Sequence, residues 1–251
     1  LPSHPIRRAR QRGAILLILV ATLGLGASAL LIHSFSNGRA AAIRERATAA
    51  SLAAAKEALL GYAIANGRLP RPAASATDGH EMSGPCGGAG CSGYLPWVTL
   101  GVAGADSWGK LLRYSVSPAF TRAPVSPASA VADRKVLSRD AGGAPLFLVG
   151  QQDCDINSRC APAVIFSSGK NNLGTSVQGL ALANAGVGNA DEQQNDGATS
   201  EFFLRKPESN PAAPGGEFDD ILVWIPLQLL YRKMEAGADR PKFDGAGAMS
   251  K

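Results

Sequence analysis

Hydrophobic and polar positions divide the chain into a long apolar start and a mixed remainder. From Gly13 to Gly38 there is no charged residue, and a run of that length spans a bilayer as a helix. Arg39 to Asn66 is rich in Ala, Leu, Arg, Glu and Lys, all good helix formers. Ile43, Ala47, Ala50, Ala54, Ala58 and Tyr62 recur at spacings of three and four and predict one apolar stripe. Asn66-Gly67 and then Pro70 end that helix. A single helix from about Ala14 to Asn66 would be roughly 80 Å long at about 1.5 Å per residue. The Gly-, Pro- and Ser-rich stretch 68–96 reads as a loop. After it, apolar runs bounded by Gly, Pro, Asn or Asp predict strands at Leu111–Ser117, Pro145–Val149, Ala163–Ser167, Phe202–Arg205 and Ile221–Ile225. Thr121–Gly143 and Gly169–Ser200 read as long connections, Leu227–Glu235 as a short closing helix and Gly237–Lys251 as a frayed tail.

The order of these elements predicts an α+β fold, with a long N-terminal helix packed on an antiparallel β-sheet that carries long loops. The expected organisation is a basic leader at 1–13, a transmembrane helix at 14–36, an amphipathic exported helix at 37–67, a globular domain at 68–236 and a flexible tail at 237–251. Arg7, Arg8, Arg10 and Arg12 precede the apolar run and hold the N-terminus on the cytoplasmic side. The domain is then exported.

Charge changes the picture only by subtraction. The net charge is +5, but without the four leader arginines 21 basic residues face 20 acidic ones. The exported part is nearly neutral, so no nucleic-acid partner is expected. All four cysteines, Cys86, Cys91, Cys154 and Cys160, lie beyond the apolar run. In an oxidising compartment they read as two disulfides, paired locally as Cys86–Cys91 and Cys154–Cys160 because each pair brackets a short turn-forming segment. Zinc is the alternative ligand for the same thiols. The C-x4-C and C-x5-C spacings and the lack of a nearby histidine weigh against it.

The N-terminus has three readings: a secretory signal cut after Ala27-Ser28-Ala29, a permanent anchor, or a leader cut between Gly13 and Ala14 with the apolar helix retained. In the third, Arg10-Gln11-Arg12-Gly13 followed by Ala14-Ile15-Leu16-Leu17-Ile18-Leu19-Val20 resembles the start of type IV pilins and type II secretion pseudopilins. Family members usually begin the mature chain with Phe or another hydrophobic residue and usually carry Glu at its fifth position; here those positions hold Ala14 and Ile18. In the family that glutamate pairs with the terminal amine of a neighbouring subunit. Its replacement by Ile18 implies a minor subunit and not a self-polymerising one.

Three later segments carry the same resemblance. Asp106-Ser107-Trp108-Gly109-Lys110-Leu111-Leu112-Arg113-Tyr114, preceded by Tyr94-Leu95-Pro96-Trp97, is similar to the family's D-P-W-G-x-x-Y-x-Y segment. Val164-Ile165-Phe166-Ser167-Ser168-Gly169 is similar to the strand and turn that follow, and Phe218-Asp219-Asp220-Ile221-Leu222-Val223-Trp224 to the closing D-D-I-x-x-W. On residue type alone, Trp97, Trp108 and Trp224 are core or half-buried aromatics.

The resemblance implies a pilin-like fold and a bacterial inner-membrane protein, single-pass, with a periplasmic domain. The implied partners are other pilin or pseudopilin subunits, the prepilin peptidase and the inner membrane. It also implies calcium, held by carboxylates and carbonyls in the loop between the last two motifs. The candidates are Asp191, Glu192, Asp196, Asp219 and Asp220, although the turn Lys170-Asn171-Asn172 lacks the family's carboxylate. A membrane-anchored periplasmic binding or scaffold domain that does not polymerise is the alternative function.

Catalysis is not expected. Ser167-Ser168-Gly169-Lys170 has the S-x-x-K spacing, but it follows a strand, contains glycine and lacks the companion motifs. His80 is the one histidine of the exported domain, so a Ser-His-Asp triad has no material.

Overall fold

The computed structural model describes residues 12–87, 91–184, 188–197 and 199–238; along the first helix, side-chain surroundings are described for 18–23 and from 38 onward. The expected leader 1–13, apart from its last two residues, and the tail beyond 238 lie outside them. The chain divides into two compact units, Leu1–Glu45 and Arg46–Lys251.

Helix α1 runs Arg12–Asn66 and includes Gly13 and Ala14, the expected processing site. In the first unit its described apolar side chains Ile18, Leu19, Val20 and Leu23 are exposed. Among the described residues, no helix is long and apolar enough to cross a membrane; most of the expected span 14–36 has no described side chains. α1 stops where Gly67 adopts φ 66° and donates its N–H to Ala63 O at 2.9 Å, a left-handed C-terminal stop that glycine makes without steric cost.

The second unit is α+β. Four antiparallel strands form the main sheet in the order β1 (Ser92–Tyr94), β2 (Arg113–Val116), β5 (Ala163–Ser167), β7 (Ile221–Ile225). A second, three-stranded sheet has the order β4 (Pro145–Val149), β3 (Lys135–Arg139), β6 (Glu201–Phe203), with β3 and β6 parallel. Among the described residues the unit also holds α2 (Trp97–Leu100), α3 (Ala190–Asp196), α4 (Leu227–Ala238) and a 3-10 turn at Pro118–Thr121.

Strand β5 shows how the layers stack. All five of its residues are buried, because side chains alternate between two covered faces. Ala163 and Ile165 join the core built on Leu52, Leu59, Leu60 and Ala63 of α1, together with Tyr114, Phe120 and Ile225. Val164 and Phe166 face the other way, onto Val136 of β3 and Phe202 of β6. The Phe166 and Phe202 rings are 5.8 Å apart.

The main antiparallel sheet carries a second, partly parallel sheet on its outer face. One expectation is corrected. The buried face of α1 is Thr48, Leu52, Ala55, Leu59, Leu60 and Ala63, whereas Ile43, Ala47, Ala50 and Ala54 are exposed and Ala58 and Tyr62 are half-buried. Both stripes have helical spacing. The leucines decide between them, because each removes far more apolar area from water than an alanine does.

The structure joins Cys86 to Cys91 and Cys154 to Cys160 as disulfides. Glu81 fixes the loop that holds the first pair. It accepts hydrogen bonds from Tyr62 Oη at 2.8 Å, Arg68 Nη1 and Nη2 at 2.8 Å and the Arg71 N–H at 3.1 Å. Burial alone would push its carboxyl up; these donors outweigh burial and hold it at about 2. A carboxyl depressed by folding stabilises the fold above its unfolded value and loses that contribution as pH falls through the folded one. Glu81→Gln is therefore expected to lose about 2 kcal/mol in urea titration at neutral pH, shrinking to nothing as pH falls from about 4.5 to 2.

Candidate functional site

Three sequence segments far apart in the chain meet at one end of the main sheet. In the first, Gly109 with φ 80° reverses the chain. Asp106 closes the reversal, its Oδ1 accepting from the N–H groups of Trp108 and Lys110, both at 2.9 Å. Its Oδ2 accepts from Ser167 Oγ at 2.6 Å, which ties this turn to the end of β5. The N–H of Ser107 donates to Thr48 Oγ1 of α1 at 3.1 Å.

The second segment is the turn after β5. Gly169 has φ 58°, and a Cβ there would overlap Asp219, so no other residue fits. Lys110 reaches under this turn and is 4% exposed. Its Nζ donates to Ser168 O at 2.9 Å, to Asn172 O at 3.0 Å and to Asn171 O. Burial pushes the ammonium below the usual lysine range, and the carboxylates of Asp219, Asp106, Asp220 and Glu192 oppose that shift.

The third segment enters β7. Asp219 Oδ2 accepts the Asn171 N–H at 2.9 Å, and the Asp219 N–H donates to Glu192 Oε1 at 2.7 Å. Glu192 Oε2 accepts from Asn189 Nδ2 at 2.9 Å, and Asp220 Oδ2 from Asn195 Nδ2 at 2.8 Å. Carboxylate oxygens of Glu192, Asp219 and Asp220 lie within 4.8 Å of one another.

Of the candidate calcium ligands, Glu192, Asp219 and Asp220 converge and Asp191 and Asp196 do not. Asp191, 1% exposed, is held by Arg139 Nε at 2.9 Å and Nη2 at 2.6 Å, and by Arg205 Nε at 2.7 Å. Arg139 stacks on Phe203 and Arg205 on Phe218, with guanidinium carbons 4.9 and 4.6 Å from the ring centres. Asp196 faces Arg113, with Nη1 to Oδ1 at 3.4 Å. The three converging carboxylates form a group that could hold a metal ion, and Asp219 Oδ1 is buried with no hydrogen-bond partner. At least one oxygen of each carboxylate accepts a protein N–H, and carbonyls of the neighbouring turn are engaged by Lys110.

Sequence reading missed Lys110 although it stands inside the quoted Asp-Ser-Trp-Gly segment. A lysine in a tight turn ordinarily faces water, and its only signal was that position. Trp97, Trp108 and Trp224 are half-buried. Ser167 of the S-x-x-K spacing sits at a strand end with its hydroxyl on Asp106, while Lys170 is exposed. His80 is exposed, with Nδ1 2.7 Å from Asp78 Oδ1.

Burial pushes the Asp220 carboxyl well above the usual range, against the Asn195 hydrogen bond, and the Glu192 and Asp219 charges push it the same way. A carboxyl raised by folding loses stabilisation as pH rises from its unfolded value through the folded one. Asp220→Asn keeps an acceptor for Asn195 and carries no charge. It is expected to unfold at higher urea than the wild type at pH 8, with the gap closing at pH 4.

Comparison with protein-family models, with curated proteins and with solved structures finds no match.

Proposed function

We propose that the chain is a minor pilin- or pseudopilin-like structural subunit of a type IV pilus or type II secretion machine. It enters the inner membrane through its N-terminal helix, is cut after Gly13, and is built into a periplasmic pseudopilus or pilus as a minor component. The meeting of the three motif segments carries this reading. The segments at 106–114, 164–169 and 218–224 feed neighbouring strands β2, β5 and β7 and bond to one another through Asp106–Ser167, Lys110–Ser168 and the pairing of β5 with β7, while Asp219 holds Asn171 of the following turn. Segments that resemble one family in order also form one structural unit.

The surface of α1 adds support. Ile18 and Leu23 are each 65% exposed and Val20 58%; apolar side chains clustered in this way suit contact with lipid or a neighbouring helix. Farther along, the exposed alanines 47, 50 and 54 allow close approach of a second helix. Ile18 cannot pair with a neighbour's amine, which fits incorporation among other subunits.

The rival reading is an anchored binding or scaffold domain that does not polymerise. In its favour is a groove of about 770 Å³ beside β4, lined by Phe147, Leu148, Trp224, Pro226 and Leu227. A photo-crosslinking residue at Val20 separates the two. Adducts with other pilin-like subunits are expected; the absence of any protein adduct in cells that assemble the filament contradicts the proposal.

A further inference from the structure

We infer that Lys110 is the chain's own cation: its ammonium fills the place a divalent ion would take under the turn after β5, and the turn closes without metal. The inference rests on this turn alone and does not depend on filament assembly.

The turn presents converging carbonyls. Ser168, Asn171 and Asn172 all aim their oxygens at one point, the Lys110 Nζ. Carbonyl dipoles set head to head repel one another, so this conformation needs positive charge at its centre. An ammonium has three protons and no acceptor, and three carbonyls take all of them. The backbone N–H of Asn171 points away from that centre, onto Asp219 Oδ2 at 2.9 Å. The turn is therefore gripped on both sides, by a cation on its carbonyls and by a carboxylate on its amide.

The charges of Asp219, Asp106, Asp220 and Glu192 act on the ammonium and offset the cost of burying it. These residues are of the type that would ligate a hard divalent ion. Here an oxygen of each accepts a protein hydrogen bond, from Asn171 N, Ser167 Oγ, Asn195 Nδ2 and Asn189 Nδ2 respectively, while Asp219 Oδ1 is buried without one. An ion could reach the carbonyls only by displacing Lys110, and beside a retained ammonium it would meet like charge. The lysine travels with the chain, so the domain closes its turn at any calcium level, including in the presence of a chelator.

The test uses the full chain in detergent micelles. Thermal unfolding of the wild type in EGTA and in millimolar calcium chloride is expected to give midpoints within about 1 °C. Lys110→Ala empties the cage. Its midpoint in EGTA is expected to fall by about 10 °C, and calcium to restore at least about half of that loss. Reductive methylation of the wild type in EGTA, mapped by mass spectrometry, is expected to label exposed Lys170 and leave Lys110 untouched; this readout stands even if the variant does not fold. A wild-type midpoint that calcium raises by several degrees overturns the inference. So does labelling of Lys110 at the rate of Lys170, or a folded Lys110→Ala variant that calcium leaves unmoved.

Discussion

Asp191→Ala is expected to destabilise the domain by about 3–5 kcal/mol, the cost of removing one partner from a buried ion cluster. Asp191 is 1% exposed and accepts three hydrogen bonds from Arg139 and Arg205. Arg139 comes from β3, Arg205 from just beyond β6, and Asp191 from α3. The carboxylate therefore holds α3 against the second sheet, and its loss leaves two guanidinium groups on Phe203 and Phe218 with no counter-charge. Asp191→Asn keeps the shape and loses the charge, and is expected to recover only part of the deficit. Urea unfolding of the full chain in micelles measures both. A loss below about 1 kcal/mol for the alanine variant would place the pair among weak surface ion pairs and contradict this account of α3.

Gly13→Glu is expected to abolish maturation and remove the chain from the assembled fraction. On the proposed reading, cleavage after Gly13 removes Arg7, Arg8, Arg10 and Arg12 and leaves an apolar helix whose first residue carries the terminal amine. With the leader retained, each subunit entering a helical bundle would bring four arginines to its cytoplasmic end. Like charges at that density repel, and their desolvation is costly. Fractionation of sheared filaments from cells, followed by immunoblotting, reads the result. The expected outcome is a near-complete loss from the filament fraction with the uncut chain held in the membrane. A variant that enters the filament at the wild-type level contradicts cleavage-dependent assembly.

Strands were legible where an apolar or β-branched run is bounded by turn residues, whether the strand is buried like β5 or largely exposed like β4. Pro145–Val149, Ala163–Ser167 and Ile221–Ile225 are apolar or β-branched and bounded by turn residues, and they are β4, β5 and β7 with those bounds. Lys135–Arg139 is polar at both ends and sits between proline- and glycine-rich stretches, so β3 read as part of a connection. One partner, β4, follows across the short turn 140–144, but the other, β6, comes more than sixty residues on, and no local signal announces it. α3 has no apolar stripe: Asp191, Glu192 and Asn195 are its buried side chains, each held by polar partners. A helix docked by hydrogen bonds is invisible to hydrophobic periodicity.

The acidic residues were legible as chemistry and not as geometry. Asp191 and Glu192 are adjacent and alike in sequence, yet one faces two arginines and the other faces Asp219. Only the long-range partners separate them, fifty-two residues away for Arg139 and twenty-seven for Asp219. The alanine and leucine stripes of α1 teach the same lesson. Spacing admitted both, and the choice came from which side chains had area to bury.

The most direct measurement is the N-terminus of the chain recovered from the inner membrane, by N-terminal sequencing and intact mass. The account predicts a chain that begins at Ala14 with an N-methylated amine. A chain that begins at Leu30, or one that still carries its leader, would contradict it.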